Sequence, residues 1–451
     1  MVEVAADADR LELVSVAGRR MLAVPRTAEG FEGEPAELEG RLVRLVEKTP
    51  ASAAAVRASS PHLRPRPLGT APSFGFGDRI GLATPGHIRS LRTTGSTLAP
   101  VLAQQSAREL VRTGRSFGEV LDAATWGALE AGWTAGYGAD ADHLRTTAEV
   151  ESALAAGFTM FTLDPSAHVD ESARTASATE LERAIEALPW EALEDDWPAM
   201  KSRHRAAADE LTIARAAAVF GHAIVHVVQL ARLLDGATRD LEVSVDETSA
   251  ATTPFEHLFL AVELRRLGVE LTSLAPRFPG RWEKALDVDG DFGAIRDAVR
   301  AHAAIAAEHG PYKLSIHSGS DKFSVYALLA EETGGTLHVK TSGTSYLEAL
   351  RVVAVAEPDL FREILAVARA RFELDRASYE LSAEAHVPSD DEDLAALLDN
   401  PGARQGLHVT YGAVLSDAQV GPALIAALDD AADEYARVLE VHLGRHLSLL
   451  Q

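Results

Sequence analysis

The feature that most constrains the fold is a short apolar segment that recurs from residue 80 onward, ends in polar residues and is followed by a helical pattern. This rhythm is typical of βαβ units on a parallel sheet. Because eight such repeats close naturally into a barrel, the sequence predicts an α/β fold of the (β/α)8 TIM-barrel type. The eight predicted strands cover residues 80–87, 134–140, 158–164, 241–247, 270–276, 313–319, 336–342 and 407–413.

The helices between these strands are predicted from apolar residues at i, i+3 and i+4 spacing. They cover residues 97–114, 146–157, 208–236, 255–268, 292–310 and 360–374. An open doubly wound sheet is the alternative, but the turn at residues 83–90 (ATPGHIRS) has neither the dinucleotide nor the P-loop glycine spacing. The sequence therefore gives no support for a nucleotide cofactor.

The predicted organisation adds three parts to the barrel. Residues 1–73 form an N-terminal α+β appendage, with a β-hairpin at 11–16 and 20–24 and an amphipathic helix at 36–48, and a Pro- and Gly-rich stretch at 59–73 ends it. The barrel domain covers 74–415 and carries a helical insertion at 165–240, which is interpreted as a lid or an oligomer face. A C-terminal helix within 416–451 packs on the barrel, and the acidic residues 389–400 are interpreted as a solvated surface.

Charge and cysteine content exclude several classes of function. Acidic residues outnumber basic ones by 67 to 43, and a net charge of −24 opposes binding to nucleic acid or an anionic membrane. With no cysteine, any metal must be held by histidine and carboxylate. The N-terminus lacks a basic start and an apolar core, and no apolar run approaches the ~18 residues of a membrane span, so the cytoplasm is the expected compartment.

Candidate chemical groups collect where the predicted strands end, which is where barrel enzymes place their catalytic residues. The strand ends and the loops after them carry His87, Asp140, Asp142, His143, Asp164, Asp246, Glu247, Arg277, His317, Ser318, Asp321, Lys322, His338, Lys340, Thr341, His408 and Thr410. The segment 318–322 supplies hydroxyls and a cation suited to a carboxylate or phosphate, although a simple polar loop explains it equally well.

Side-chain alternation suggests a metal site among these groups. His317 and His338 fall on the inward faces of neighbouring strands, and a carboxylate from Asp164 or Glu247 would complete a set that binds zinc, manganese, iron, cobalt or nickel. A single histidine near a strand end is more often a hydrogen-bonded structural residue than a ligand. Lys340 is interpreted as an acid/base or carboxylate anchor, with an ion pair to a nearby aspartate as the alternative.

The chain also resembles a known family at these strand ends. Residues 74–87, 136–144, 157–166, 313–326, 337–351 and 407–412, above all SIHSGSDKFS, are similar to the tagaturonate epimerase family of hexuronate catabolism. The resemblance implies a divalent-metal-dependent isomerase that interconverts tagaturonate and fructuronate, with tagatose and fructose as further substrates. A homo-oligomer is left open.

Together with this resemblance, the residues at the strand ends lead us to expect that Asp164, His317 and His338 bind the metal. We expect Asp140, Glu247 and Lys340 to act in catalysis. The expected substrate contacts are His87, His143, Ser318, Lys322, Thr341 and His408. Because the inverted carbon is not adjacent to the ketone, its C–H is not acidic, and retro-aldol cleavage followed by re-addition is the favoured route. Rival interpretations are an aldose–ketose isomerase, an aldolase and a non-catalytic sugar-acid binding protein.

Overall fold

Eight parallel strands form a closed barrel, as predicted, in a computed structural model that describes residues 11–389, 393–394 and 396–451. Residues 1–10 of the predicted N-terminal appendage and residues 390–392 and 395 of the acidic stretch lie outside the described residues. The barrel strands are β5 (Ser73–Gly77), β6 (Ala99–Ser106), β7 (Gly138–Leu144), β8 (Met160–Leu163), β9 (Asp240–Ser244), β10 (Ser273–Ala275), β11 (Lys313–Ile316) and β12 (Leu337–Lys340), which pairs with β5 to close the ring.

A separate antiparallel sheet precedes the barrel. Its strands are β1 (Glu12–Val16), β2 (Arg19–Pro25), β3 (Glu34–Leu38) and β4 (Arg41–Glu47), in the order β1-β2-β4-β3. The hairpin at 11–24 is therefore confirmed, whereas the helix predicted at 36–48 is wrong. Glu39 and Gly40 both have positive φ, 50° and 77°, which bends the chain into a tight hairpin turn at the middle of the predicted helix.

Helices lie between the barrel strands and around them. Their bounds are α1 (Pro50–Ser59), α2 (Thr84–Thr94), α3 (Ala107–Thr113), α4 (Phe117–Glu130), α5 (Thr147–Ala156), α6 (Ala178–Glu186), α7 (Trp197–His204), α8 (Glu210–Arg232), α9 (Pro254–Arg266), α10 (Phe292–His309), α11 (Tyr326–Glu332), α12 (Thr344–Ala356), α13 (Pro358–Asp375), α14 (Pro401–Val409), α15 (Tyr411–Ser416), α16 (Val420–Asp430) and α17 (Ala432–Leu449). The predicted C-terminal helix is thus two helices, α16 and α17.

The first predicted strand, 80–87, is wrong, since the strand is β5 and residues from Thr84 onward are helical. The carboxylate of Asp78 accepts hydrogen bonds from the backbone N–H groups of Ile80, Gly81 and Ala83, which shapes the turn between β5 and α2. The apolar segment at 80–83 therefore belongs to a turn.

The eighth predicted strand was also misplaced, and the second strand of the observed barrel, β6, was missed. Residues 99–106 form β6 although the sequence predicts a helix there, and the helix begins only at α3, where Ser106 and Glu109 form a capping box. The predicted strand 407–413 lies in α14 and α15. The remaining six predicted strands each overlap an observed strand, and β11 and β12 are parallel neighbours as expected.

Among the described residues, α8 has the length and apolar composition of a membrane span, in contrast to the expectation from the sequence. In the structure, 67% of its most apolar window is buried within the protein. The helix belongs to the 165–240 insertion, and its N-cap is Asp209, whose side chain accepts a hydrogen bond from the backbone N–H of Thr212.

Candidate active site

A cavity of ≈ 290 Å³ lies where several barrel strands end, on the side where barrel enzymes bind their substrates. Asp246 follows β9, His317 follows β11, and Lys284 comes from the long loop after β10. Arg108 of α3 and Tyr379 from the segment after α13 complete the wall. The cavity therefore gathers charged side chains from elements far apart in the sequence.

Beneath this cavity, a buried lysine is surrounded by carboxylates. The Nζ atom of Lys340 lies 2.7 Å from a carboxylate oxygen of Asp140, 2.7 Å from one of Asp142 and 2.9 Å from one of Glu242. It also donates to the hydroxyl of Thr162 at 2.6 Å. Although burial alone would lower it, these carboxylates raise the pKa of Lys340 well above its ordinary value. The residue is a charged centre that holds three acids in place.

Asp140 differs from its neighbours in its proton affinity. Burial raises the pKa of this carboxyl to about 6, against the opposing effect of Lys340. Glu242 has its pKa held well below the ordinary value, because Lys340 and His317 outweigh the effect of burial. Both side chains are fully buried, so neither lies on the cavity wall.

Two imidazoles face each other above the lysine. The ring centroids of His143 and His317 are 4.9 Å apart. The Nε2 atom of His317 lies 2.7 Å from Glu242, and its Nδ1 atom lies 3.2 Å from an oxygen of Asp246. Burial lowers the pKa of His317, but Asp246 and Glu242 more than reverse the effect and raise it to about 9. The surroundings thus favour a positive charge at this position.

The backbone at His143 is unusual. Its φ is 53°, and the pairing of β7 with β8 shifts register between Ala141 and Leu144. A bulge of this kind turns a side chain away from the regular alternation, and positive φ in a non-glycine residue recurs at functional sites. Neither ring nitrogen of His143 has a well-aligned hydrogen bond, although Nδ1 lies 2.9 Å from an oxygen of Asp142. Nε2 lies 3.6 Å from an oxygen of Asp246, and although burial lowers it, these two carboxylates raise the pKa of the imidazole well above its ordinary value.

The three predicted metal ligands do not come together. In the described part of the chain, three groups of acid and histidine side chains have ligand atoms within 4.8 Å of one another: Asp142, His143 and His317; His143, Asp164 and Glu247; and Asp321, His442 and His446. His317 and Asp164 fall in different groups, and His338 is in none of them.

Register explains the position of His338. Its partner in the neighbouring strand is Ser315, two residues before His317, so its inward side chain lies one level deeper in the barrel. There Nδ1 lies 2.9 Å from the hydroxyl of Ser73, and burial lowers the pKa of the imidazole well below its ordinary value. Deeper in the barrel, Lys313 also donates to Ser73 at 2.9 Å.

Asp164 and Glu247 are held by arginines at the rim. Arg145 lies 2.6 Å from an oxygen of Asp164 and 2.6 Å from one of Glu247. Arg108 lies 2.8 Å from the other oxygen of Glu247. The pKa of Glu247 is lowered because His143 and Arg108 outweigh its partial burial. These two carboxylates therefore form part of an ion-pair network.

Three of the predicted substrate residues are engaged in packing. His87 lies within α2, where Nε2 is 2.9 Å from the hydroxyl of Ser345 and the ring stacks on Phe76 at 4.8 Å. His408 lies within α14, and its ring Nε2 is 3.3 Å from the guanidinium of Arg79. Thr341 donates its hydroxyl to the carbonyl of Gly75 at 2.7 Å. None of the three is among the residues that line the cavity.

The loop after β11 contains two more of the predicted substrate residues, Ser318 and Lys322. Ser318 lines the cavity and accepts a short hydrogen bond from Lys284. Lys322 points away from the cavity, because its ammonium donates to the carbonyls of Glu283, Leu286 and Ser320 and the side chain is fully buried. Its position indicates a role in holding two loops together.

Sequence reasoning left Glu242, Arg108 and Lys284 out of the site. Glu242 is detectable in principle, since it alternates with Ser244 along β9 and is a buried carboxylate between Leu241 and Val243. Arg108 lies in a helix and Lys284 in a loop, and their approach to the strand ends depends on the closed barrel. No local pattern identifies them.

The donor set fits a divalent metal ion. Asp142, His143 and His317 offer one carboxylate and two imidazoles within 4.8 Å of one another. At this level of the barrel, the ammonium of Lys340 faces the carboxylates of Asp140, Asp142 and Glu242, and Asp246 lies beside His317, so that acidic groups outnumber Lys340 and a bound cation would balance part of their charge. Because neither ring nitrogen of His143 has a well-aligned hydrogen bond, the neutral imidazole would be able to ligate a cation.

These features define a barrel enzyme of the isomerase class, as comparison with known proteins shows. The family model for tagaturonate epimerase matches residues 4–450, and the chain is 44% identical to a tagaturonate/fructuronate epimerase of Thermotoga maritima over 406 residues, 88% of this chain and 84% of that one. The chain therefore belongs to the tagaturonate epimerase family.

Solved structures agree with this assignment. A glycerol-complexed fructuronate-tagaturonate epimerase from Cohnella laeviribosi superposes with a TM-score of 0.88 at 35% identity, covering 97% of this chain and 93% of that chain. The native crystal structure from the same organism gives 0.87 with the same identity and coverage. The resemblance to this family stated from the sequence is confirmed.

Proposed function

We propose that the chain interconverts tagaturonate and fructuronate by inverting one hydroxyl-bearing carbon. The observation that carries the proposal is that His317, Asp246 and Lys284 line one cavity, with the imidazole of His143 next to that of His317. The functions of the relatives from Thermotoga and Cohnella support the choice of substrate. Tagatose and fructose, which lack the carboxylate, are proposed as weaker substrates.

We place a divalent metal ion on His143, His317 and Asp142, in preference to the set with Asp164 and His338 expected from the sequence. When bound, such an ion supplies a Lewis acid that polarises a carbonyl and stabilises negative charge on substrate oxygens. Glu242 accepts from Nε2 of His317, which fixes the ring and leaves Nδ1 directed toward Asp246. Lys340 then holds Asp142 by charge.

For the proton transfer, the proposal assigns Asp246 to the substrate hydroxyl. Asp246 lines the cavity, and its pKa is held well below the ordinary value because His317 and His143 outweigh its burial, so it is present as the carboxylate, the form that a base requires. Glu247, the base expected from the sequence as an alternative, is engaged by two arginines. Asp140 is fully buried below the cavity.

The proposed route breaks and remakes one carbon–carbon bond. Asp246 removes the hydroxyl proton, the C–C bond cleaves, and its electron pair passes to the ketone fragment as an enediolate while an aldehyde forms. The aldehyde rotates, the enediolate attacks its other face, and the proton returns to the new alkoxide. The hydrogen on the inverted carbon stays attached throughout.

Turnover of tagaturonate in heavy water by the metal-loaded protein tests both the function and the route. We expect fructuronate to form without deuterium at the inverted carbon, as followed by proton NMR. Deuterium at that carbon would exclude the retro-aldol route. An aldose, or two shorter fragments that accumulate, would instead favour the isomerase or aldolase alternatives, and absence of any product would refute the proposed activity.

A further inference from the structure

The cavity contains one cation whose charge is not matched by a neighbouring carboxylate. Arg108 pairs with Glu247 at 2.8 Å, and Arg277 lies 3.2 Å from Glu380. In the part of the chain that the structure describes, no carboxylate oxygen lies within 4.0 Å of the ammonium of Lys284. A lysine in this setting is costly unless an anion meets it.

Lys284 is built into the site. Its ammonium donates to the hydroxyl of Ser318, a residue held at a φ of 52° directly after His317. Burial lowers the pKa of the ammonium, with Asp246 and Glu247 acting in the opposite direction from a longer range. The cation thus lies beside the imidazole that we assign to the metal, and on the same cavity wall.

Contacts on both sides fix the loop that carries this lysine. Lys322 donates to the carbonyls of Glu283 and Leu286, which flank Lys284, and the two donor contacts hold that stretch against the loop after β11. The side-chain amide of Gln405 donates to the carboxylate of Glu283 at 3.0 Å. A flexible surface lysine would have no such framework, so the position of the ammonium is set before a ligand arrives.

We propose that Lys284, with Ser318, binds the carboxylate of the sugar acid and makes the enzyme prefer hexuronates to neutral ketohexoses. This inference rests on the proposed function and adds the residues that read the substrate's charge. A charge-assisted hydrogen bond from an ammonium to a carboxylate is stronger than a neutral one. The ammonium of Lys284 also offers the local positive charge that an acidic substrate needs in a protein with a net charge of −24.

The test compares kcat/KM for fructuronate and for fructose in Lys284→Met, Lys284→Arg and wild type. We expect Lys284→Met to lower the fructuronate-to-fructose ratio by about 10- to 100-fold and Lys284→Arg to retain much of it. Because the ratio is independent of the fraction of active protein, partial misfolding does not imitate the effect. Lys201→Met, which removes a surface lysine paired with Glu210, is the matched control and should leave the ratio unchanged.

A measurement of ligand binding tests the role of Lys284 independently of the proposed reaction. Calorimetry with galactonate and galactitol, which differ at the carboxylate, should give tighter binding of the acid to wild type and no such preference in Lys284→Met. Loss of the preference without any epimerisation would refute the proposed function and keep the anchor. A preference that persists in Lys284→Met, or that is absent from wild type, would overturn the assignment of Lys284.

Discussion

At the scale of single residues, His143 and His317 are the side chains on which the proposed metal site depends. Replacing either with alanine removes one of two imidazoles from a three-residue donor set, so we expect divalent metal content and epimerase activity to fall together. Mass spectrometry of the metal and circular dichroism of the fold provide the measurement. His222→Ala, at an exposed position of α8, is the control. Wild-type metal content in both variants would contradict the site.

His338→Gln separates the two possible donor sets. Its imidazole lies one level below the cavity and contacts Ser73, so we expect the variant to keep its metal. Metal loss in this variant, together with retention in His143→Ala, would favour the ligands expected from the sequence.

Loss of the buried ammonium of Lys340 should strongly reduce stability. Lys340→Met leaves the carboxylates of Asp140, Asp142 and Glu242 without their shared ammonium in a buried region. Breaking a buried ion pair by removing one partner typically costs about 3–5 kcal/mol. Urea unfolding should report a loss of that order, compared with less than about 1 kcal/mol for the exposed pair broken in Lys201→Met. Equal unfolding midpoints would show that the carboxylates take up protons at little cost.

The sequence identified many of these groups but placed them imperfectly. Alternation along β11 and β12 correctly gave His317 and Lys340 inward positions, because the face on which a side chain lies follows from counting residues along one strand. The level of each residue along the barrel axis depends on register between strands, which one sequence does not contain. For that reason His338 was grouped with His317 although it lies lower, and Lys322 was directed to the substrate although it binds carbonyls of another loop.

At the scale of elements, the eightfold repeat was predictable and two of its strands were not. The run APVLAQQS in β6 is buried over nearly its full length, so its residues carry no period-two signal and continue without a break into the helical pattern of α3. The segment LHVTYGA in α14 and α15 is apolar for a different reason, since these helices are buried almost entirely. Apolar runs this short do not distinguish a buried strand from a buried helix.

The loop that carries Lys284 allows an element-scale prediction. Lys322→Met removes the donor to Glu283 and Leu286, and we expect faster amide hydrogen exchange in residues 281–290 while the barrel strands keep their protection. Mass spectrometry of exchanged peptides provides the measurement, with Lys201→Met as the control. Unchanged exchange in that loop would show that Gln405 and the remaining packing suffice to hold it.

At the scale of the whole molecule, the C-terminal helices are joined to the active end of the barrel by buried charges. Arg404 of α14 lies 3.0 Å from Asp321 and 2.9 Å from Glu348, and His442 of α17 lies 2.8 Å from Asp321. Asp321 belongs to the same loop as Ser318 and Lys322, and its backbone N–H donates to His446 at 3.0 Å. The final helices therefore stabilise the loop that frames the cavity, although they come after the last barrel strand in the chain.

Buried neutral histidines should make the stability of the whole chain depend on pH. Burial lowers the pKa of His87 from its ordinary value of 6.5 to about 4, against the smaller effect of Asp78. The unfolded chain therefore binds a proton at this position between pH 6.5 and 4 when the folded chain does not, and stability falls as pH decreases through that window. The contribution of His87 is on the order of 3 kcal/mol near pH 4. We expect the free energy of unfolding of His87→Gln, which lacks the titrating group, to fall by less than that of wild type between pH 7 and 4. Urea titrations at several pH values measure the difference, and parallel curves for the two proteins would mean that His87 accepts its proton in the folded state as readily as in the unfolded chain.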